Sequence, residues 1–297
     1  MTRFKLLALD IDGTLVGPDA LVGEPNRHAI SMARAAGLAV CLATGRSYPE
    51  SRGIWDQLRL QGPCEPIVTV GGAMVCQSDT GRTLYHRSID RDVARRFGAA
   101  MNDRGYVAMG LVDGWRHGTD YLITERGDHH AASRDWFSKM NVRVRQVPSL
   151  GETDPAMALL RISTVVETAQ AAPMAAELSR RFEGQLNVQA ILAPNYGVTI
   201  VEAHAIGADK MTALRYVGQP LLIGAGQMVG VGDDLNDLSM VRGAGLGAAI
   251  AHAPQALRAA ADVVVVDDGA GDSGNGLAEF IHRLVAGEYD GLTKAHA

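Results

Sequence analysis

Residues 6–17 read LLALDIDGTLVG. The apolar run Phe4–Leu9 predicts a buried strand, and Asp10 and Asp12 follow where that strand should end. In an open α/β sheet, ligands bind beyond the carboxyl ends of the strands. Side chains two residues apart in extended backbone point the same way, so both carboxylates should face one site. The arrangement suits phosphoryl transfer, although a buried strand that merely enters an Asp-Gly turn fits the same letters.

The composition is that of a globular protein with little charge bias. The chain has 297 residues, enough for one large domain or two ordinary ones, and a net charge of -5. This charge offers no basic surface for nucleic acid and no polybasic patch for a membrane. The N-terminal apolar run is too short for a signal-peptide core, and no apolar stretch could span a bilayer. We expect a cytoplasmic monomer or small homo-oligomer with three reduced or buried thiols, which are Cys41, Cys64 and Cys76.

Strand-like and helix-like segments alternate through the first 80 residues, a pattern typical of a parallel sheet. After the first strand, the predicted elements are a helix at about 25–36, a strand Leu38–Ala43, a helix at about 48–59 and a strand Ile67–Val70.

Residues 86–205 no longer show this regular alternation. They contain several strand-like runs, with helical stretches near 91–103 and 170–183. This segment holds 14 basic and 14 acidic residues, so the flanking segments carry the whole net charge. The parallel pattern then returns in MVGVGDD, LGAAIA and DVVVV. We therefore expect one domain formed by residues 1–85 and 206–297, interrupted by an inserted α+β domain at residues 86–205.

Two further strand ends carry residues suited to an anion or a cation. The strand before Thr44-Gly45-Arg46-Ser47 leads into a helix, where a hydroxyl and free backbone N–H groups could bind an anionic oxygen or simply cap that helix. Residues 230–240 read GVGDDLNDLSM, so several carboxylates cluster after another apolar run. Oxygen ligands of this kind favour Mg²⁺; a calcium loop lacks its usual spacing here, and a solvated acidic turn is the remaining alternative.

Lys210 opens a predicted helix in HAIGADKMTAL, residues 204–214. A cation is unfavourable at that end of a helix dipole, so Lys210 is a candidate functional residue. An exposed lysine with no special role is the commoner explanation of such a residue.

Taken in their order along the chain, these four segments resemble the haloacid dehalogenase superfamily, specifically its Cof-type phosphatases with a large α/β cap. The resemblance covers nearly the whole chain and carries Asp10-Ile11-Asp12-Gly13-Thr14-Leu15, Thr44-Gly45-Arg46, Lys210, and Gly232-Asp233-Asp234-Leu235-Asn236-Asp237 with Met240. It implies an α/β fold, a doubly wound, Rossmann-like parallel sheet with an inserted α+β cap domain that selects the substrate.

The resemblance also implies roles for individual residues. Asp10 would be the nucleophile that becomes a transient aspartyl phosphate, and Asp12 the general acid and base. Mg²⁺ would be held by the Asp10 carboxylate, the Asp12 backbone carbonyl and Asp233, with Asp237 supporting or completing the site. The phosphate-binding group would be Thr44, Gly45, Arg46, Lys210 and Asn236.

The implied activity is hydrolysis of a small phosphorylated metabolite such as a sugar phosphate. A phosphomutase of phosphosugars and a non-catalytic regulator that binds a phosphometabolite are the alternatives. One departure lies after the third strand, where Gly71-Gly72-Ala73 stands in place of the Asn-Gly-Ala of many relatives. Candidate substrate-selecting residues in the cap are Trp115, Arg116, His117, His129, His130, Trp136, Arg143 and Arg145.

Overall fold

A computed structural model describes residues 2–60, 65–139, 142–151, 154, 156–193, 197–266 and 275–292. It divides into two compact units, here called the core unit (residues 1–85 and 209–297) and the inserted unit (residues 86–208). Cys41 and Cys76 are buried in the core unit, whereas the predicted thiol of Cys64 lies outside the described residues.

The first segment of the core unit contains β1 (Leu6–Leu9), α1 (Glu24–Ala35), β2 (Ala39–Leu42), α2 (Tyr48–Gln57), β3 (Pro66–Thr69), β4 (Met74–Gln77) and β5 (Thr83–His86). The inserted unit contains α3 (Arg91–Asn102), β6 (Met109–Val112), α4 (Gly114–His117), β7 (Tyr121–Thr124), α5 (Ala131–Lys139), β8 (Val144–Val147), β9 (Leu159–Val166), α6 (Thr168–Arg181), β10 (Leu186–Ala193) and β11 (Val198–Ala205). The second core segment contains α7 (Lys210–Gly218), β12 (Met228–Gly232), α8 (Leu238–Gly243), β13 (Leu246–Ile250), α9 (Gln255–Arg258), β14 (Val263–Val265) and α10 (Asn275–Ala286).

The core sheet is parallel and runs β14-β13-β12-β1-β2. Strand β1 is fully buried because its apolar side chains face the interior on both sides of the sheet. It lies between β2 and β12, with Leu9 opposite Leu42 on one side and Val231 on the other. The three strands therefore end at one edge, which brings together the residues that follow them. The predicted α/β fold with a parallel core sheet is confirmed.

A smaller sheet, β3-β4-β5, continues the core unit beyond β2. Val68 of β3 forms a parallel bridge with Ala43, and Thr44 N–H donates to the Val68 carbonyl at 2.9 Å. Strands β3 and β4 then pair antiparallel through a tight turn at Val70–Gly72. This turn lies beside the end of β2.

The inserted unit has a sheet of order β10-β11-β9-β6-β7-β8, antiparallel except for the parallel pair β7 and β8. Side chains of α3 and α6 pack on one face of this sheet and form a hydrophobic core that includes Phe97, Leu178 and Phe182. Within the described ranges, no helix is both long and apolar enough to cross a membrane.

Candidate active site

The carboxyl edge of the core sheet places Asp10 and Asp233 at neighbouring strand ends. Asp10 directly follows β1, and its backbone N–H donates to the carbonyl of Val231 in β12 at 3.0 Å. Asp233 directly follows β12. Residues more than 200 positions apart in the chain are thus joined by strand pairing.

Lys210 is the centre of a buried charge cluster. Its Nζ donates to Asp10 Oδ1 at 2.6 Å and to Asp237 Oδ1 at 2.5 Å, and its side chain is 0% exposed. Helix α7 begins at Lys210, and the N-cap Asp209 accepts from the backbone N–H of Thr212 at 2.9 Å. The exposed-lysine alternative is therefore wrong for this residue. We call Asp10, Lys210, Asp233 and Asp237 the core cluster.

Asp237 uses both carboxylate oxygens within the protein. Oδ1 accepts from Lys210, while Oδ2 accepts from the backbone N–H groups of Asp233 at 3.0 Å and Asp234 at 3.1 Å. A Cβ on Gly232 would lie 2.3 Å from Asp237 Cγ, so only glycine allows this approach. Asp237 thereby fixes both the ammonium group and the backbone that carries Asp233.

Asp233 approaches the loop after β1 at equally close range. Its Oδ1 accepts from the Thr14 hydroxyl at 3.1 Å, and its Oδ2 lies 3.3 Å from His252 Nε2. Gly13 has a φ of +78°, and a Cβ there would lie 2.1 Å from Asp233 Oδ2. Gly13 is therefore required both for its left-handed backbone and for the space that it leaves.

The core cluster has the donor set of a hard divalent cation. Carboxylate oxygens of Asp10, Asp233 and Asp237, one from each residue, lie within 4.8 Å of one another. These candidate ligand atoms are all oxygen, which Mg²⁺ prefers. Because Gly13 has no side chain, the Asp233 carboxylate can lie close to the loop after β1. The residues present thus fit the metal that the sequence predicts.

The pKa values in the cluster reflect its excess negative charge. The pKa of Asp10 is raised well above its ordinary value by burial, and repulsion from Asp237 and Asp233 adds to this, while Lys210 opposes it. The pKa of Asp233 is raised by burial and by Asp237. Burial disfavours the charged Lys210, but Asp10 and Asp237 outweigh that effect and raise its pKa. A divalent cation would remove the repulsion that the carboxylates share.

The Asp12 side chain pairs with Arg46. Arg46 Nε donates to Asp12 Oδ2 at 2.8 Å, and Arg46 Nη2 donates to Asp12 Oδ1 at 2.5 Å. The Asp12 side chain is 57% exposed, and its hydrogen bond to Arg46 is the main cause of the raised pKa of that guanidinium. Arg46, which the resemblance assigns to phosphate, thus binds a carboxylate in this structure.

The loop after β2 presents Thr44, Gly45 and Arg46 beside Asn236. Thr44 is buried, and its hydroxyl accepts from the backbone N–H of Arg46 at 3.1 Å. A Cβ on Gly45 would lie 3.8 Å from Asn236 Nδ2. Asn236 Oδ1 is buried and has no hydrogen-bond partner in the part of the chain that the structure describes. A polar ligand with a hydrogen-bond donor could bind to this unpartnered oxygen beside the loop.

Several candidate residues of the inserted unit take part in local structure. Arg143 binds Asp120 with its Nε at 3.0 Å, and His130 Nε2 lies 3.1 Å from Glu167 Oε1. Trp136 packs edge-on against Tyr121, with ring centroids 5.4 Å apart. Their assignment to substrate selection stays a prediction.

Sequence reasoning missed the neighbours that shape the site. Gly13 and Gly232 both lie inside the quoted motifs, and a glycine beside a functional aspartate was the available signal for a close backbone approach. Nothing in the sequence around His252 indicated that it would face Asp233.

Comparison with known proteins agrees with the family that the sequence motifs resemble. Residues 7–281 match the family of haloacid dehalogenase-like hydrolases. A 5-amino-6-(5-phospho-D-ribitylamino)uracil phosphatase of Bacillus subtilis is 26% identical over 86% of this chain and 90% of its own. A phosphoglycolate phosphatase of Natronomonas pharaonis is 28% identical over 87% and 89%. The crystal structure of a haloacid dehalogenase-like hydrolase from Bacteroides thetaiotaomicron superposes with a TM-score of 0.74 at 22% identity, covering 95% of this chain and 99% of that one.

Proposed function

The chain belongs to the haloacid dehalogenase-like hydrolases, and from that premise we propose that it is a Mg²⁺-dependent phosphomonoesterase acting on a small phosphorylated metabolite. The observation that carries the proposal is the core cluster, in which one buried ammonium faces three carboxylates at the carboxyl edge of the sheet. A site with this charge excess and all-oxygen donors is suited to a cation and a phosphate together.

Asp10 is the proposed nucleophile. One of its oxygens would attack phosphorus, the bond from phosphorus to the ester oxygen would break, and an aspartyl phosphate would remain. Two unit charges about 4 Å apart repel by about 4 kcal/mol at an effective dielectric of about 20, so a carboxylate and a phosphate dianion need compensating positive charge. Lys210 lies 2.6 Å from Asp10 and supplies one such charge.

Asp12 is the proposed general acid and base. It would give a proton to the departing oxygen and then take one from the water that attacks the aspartyl phosphate, releasing phosphate and restoring Asp10. Both carboxylate oxygens of Asp12 accept a hydrogen bond from Arg46. Proton transfer through Asp12 therefore requires that this ion pair opens or weakens during the cycle.

The remaining groups would bind the phosphoryl oxygens. The Thr44 hydroxyl and the backbone at Gly45 lie in the loop after β2, and the amide of Asn236, which follows β12, lies beside Gly45. Lys210 adds a fixed cation. Mg²⁺ would be held by Asp10, Asp233 and the Asp12 carbonyl, and when bound it would neutralise charge between nucleophile and phosphate. Asp237 would act mainly by positioning Lys210 and Asp233.

The proposed substrate is a small metabolite with a terminal phosphate ester, such as a sugar phosphate. Support comes from the relatives, one of which is named for a phosphorylated ribityl compound and another for phosphoglycolate. The inserted unit is the proposed selector of the organic part. A cytoplasmic location and a monomeric or small homo-oligomeric state accompany this proposal.

Phosphate release from a panel of phosphorylated sugars, nucleotides and cofactors tests the function, with Mg²⁺ and with chelator. We expect metal-dependent release that falls by about 10⁴-fold or more in Asp10→Asn, because the nucleophile is lost. Asp19→Asn, an exposed aspartate of the same unit, is the matched control and should keep full activity.

Three outcomes would contradict the proposal. Full activity in Asp10→Asn would exclude this nucleophile. Transfer of phosphate within a sugar, without net release, would favour the phosphomutase. Binding of phosphorylated compounds with no turnover of any of them would favour the regulator.

A further inference from the structure

The turn between β3 and β4 has an unusual backbone. Val70, Gly71 and Gly72 all have positive φ, at +54°, +64° and +98°. Glycine adopts such values freely, but a β-branched residue rarely does, and Val70 is strained there. Strain of this kind persists only where surrounding contacts hold it, and it concentrates at functional sites.

On one side, the turn holds the loop after β2. The Val70 N–H donates to the carbonyl of Arg46 at 2.8 Å, and the Gly71 N–H donates to the carbonyl of Thr44 at 2.9 Å. These two hydrogen bonds hold the backbone of Thr44 and Arg46 in place.

On the other side, the turn contacts the start of α7. A Cβ on Gly72 would lie 2.1 Å from the Asp209 carbonyl oxygen and 2.8 Å from the Lys210 backbone nitrogen. Both are backbone atoms at the N-terminus of the helix, so they cannot move aside as the tip of a flexible side chain could. Any larger residue at position 72 must push the start of the helix away.

We propose that Val70–Gly72 is a spacer that sets the separation between the Thr44 loop and Lys210, with Gly72 as a positioning residue. The inference rests on the proposed function, since Thr44 and Lys210 are two of its phosphoryl-binding groups and the spacer lies between them. The strained Val70 and the two hydrogen bonds make the spacer stiff. A displacement of about 1 Å in a positioned catalytic group can cost about 100-fold in rate.

Gly72→Ala and Gly37→Ala form a matched pair. Gly37 has a φ of +93°, close to that of Gly72, but a Cβ there meets nothing within 4 Å. Both substitutions therefore place alanine at a similar positive φ, and only Gly72→Ala introduces the steric displacement. Measured where circular dichroism shows both folded, kcat of Gly72→Ala should fall by about 100-fold, with a smaller change in KM, while Gly37→Ala keeps the kcat of wild type.

A kcat for Gly72→Ala within twofold of Gly37→Ala would overturn the spacer. If Gly72→Ala does not fold, comparison of Val70→Ala with Val70→Gly tests the spacer proposal instead. Both remove the two buried methyl groups of Val70, but only glycine also removes Cβ and thereby releases the strained backbone. Val70→Gly should therefore have a higher Tm than Val70→Ala, because strain is relieved, but a lower kcat, because the spacer is less stiff. A residue with only a structural role would not change Tm and kcat in opposite directions. Equal kcat values in the two variants would overturn the proposal.

Binding of inorganic phosphate separates this proposal from the proposed function. A wild type without phosphatase activity would refute the proposed function alone, and calorimetric titration with inorganic phosphate would then decide on the spacer. Weaker binding by Gly72→Ala than by Gly37→Ala, or by Val70→Gly than by Val70→Ala if Gly72→Ala does not fold, would support it. Equal binding within the pair, including no binding by either variant, would overturn it.

Discussion

Each unit of the molecule contains a buried group of charges, and the two groups are composed differently. The core cluster sets one ammonium, Lys210, against three carboxylates. The inserted unit has an arginine, a glutamate and a histidine, here called the inserted cluster: Arg161, Glu202 and His204. Arg161 Nη1 lies 3.4 Å from Glu202 Oε2, and His204 Nδ1 lies 3.8 Å from Glu202 Oε1.

The difference between the clusters is one of charge balance. In the inserted cluster one guanidinium matches one carboxylate, and Gln189 donates to Glu202 at 2.9 Å. Burial alone would raise the pKa of Glu202, but Arg161, His204 and Gln189 outweigh it and lower that pKa. In the core cluster the pKa of Asp10 moves the opposite way, chiefly through burial. The inserted cluster contains a counter-charge for its one carboxylate, whereas the core cluster has more carboxylates than cations, which suits a site that binds a cation.

In the comparison of the two clusters, the largest effect should follow removal of the only cation in the core cluster as the structure describes it. Lys210→Met keeps much of the side-chain length but leaves Asp10 and Asp237 without their ammonium. We expect kcat/KM for phosphate release to fall by about 10³-fold, which corresponds to about 4 kcal/mol of transition-state stabilisation. Steady-state kinetics measure this directly.

Lys139→Met is the control for Lys210→Met. Lys139 is also paired with an aspartate, but its side chain is 63% exposed. Its replacement should leave kcat/KM unchanged, because exposed ion pairs contribute little. A Lys210→Met enzyme with activity within tenfold of wild type would show that the buried ammonium is not needed for turnover.

The second prediction concerns the stability of the inserted cluster. Glu202→Gln keeps the shape of the side chain but leaves Arg161, whose side chain is 14% exposed, without its carboxylate. Breaking a buried ion pair from one side is costly, so we expect the free energy of unfolding to fall by about 3 kcal/mol. Urea unfolding followed by circular dichroism measures the change.

Glu177→Gln provides the comparison, since Glu177 pairs with Arg104 but its side chain is 51% exposed. It should change the free energy of unfolding by less than about 1 kcal/mol. Equal losses in the two glutamine variants would mean that the inserted cluster is no more important for stability than a surface pair.

The two clusters also differ in how far the sequence predicted them. Asp10, Thr44 and Asp233 follow apolar runs, so periodicity placed them at strand ends. Lys210 was placed at the start of a helix, and the family resemblance grouped all four. Arg161 and Glu202 lie in segments that were predicted as strands, but their pairing was not predicted. Their pairing depends on the antiparallel register of β9 and β11, with Ser163 opposite Glu202, which local sequence does not specify.

The same limit applies to the fold. The α/β class is confirmed, and the predicted helices and strands of the parallel sheet lie within a few residues of their observed bounds. Strand β8 was not predicted, because its first three side chains are exposed and it has no apolar pattern. The pairing of β1 with β12 joins residues about 220 positions apart, and no periodicity encodes such a contact. The partner of Arg46 was missed for the same reason.

The smallest predicted effect is a pH dependence that has opposite signs in the two clusters. Burial lowers the pKa of His204 below 6.5, Arg161 lowers it further, and Glu202 opposes this. As the pH falls below 6.5, the unfolded chain therefore binds a proton before the folded chain does, and stability is lost. For Asp10 and Asp233 the folded pKa is raised, so acidification above pH 3.8 favours the folded state instead.

Comparison of wild type with His204→Asn isolates the histidine, because the aspartates of the core cluster are present in both proteins and cancel. Glu202 also cancels, since its lowered pKa places its loss of stability below pH 4.5. Between pH 7.5 and pH 5.5, wild type should lose up to about 1 kcal/mol relative to His204→Asn, measured by urea unfolding at each pH. Parallel stability curves for the two proteins would mean that His204 binds its proton equally well in the folded and unfolded chain, and that burial beside Arg161 does not disfavour the imidazolium.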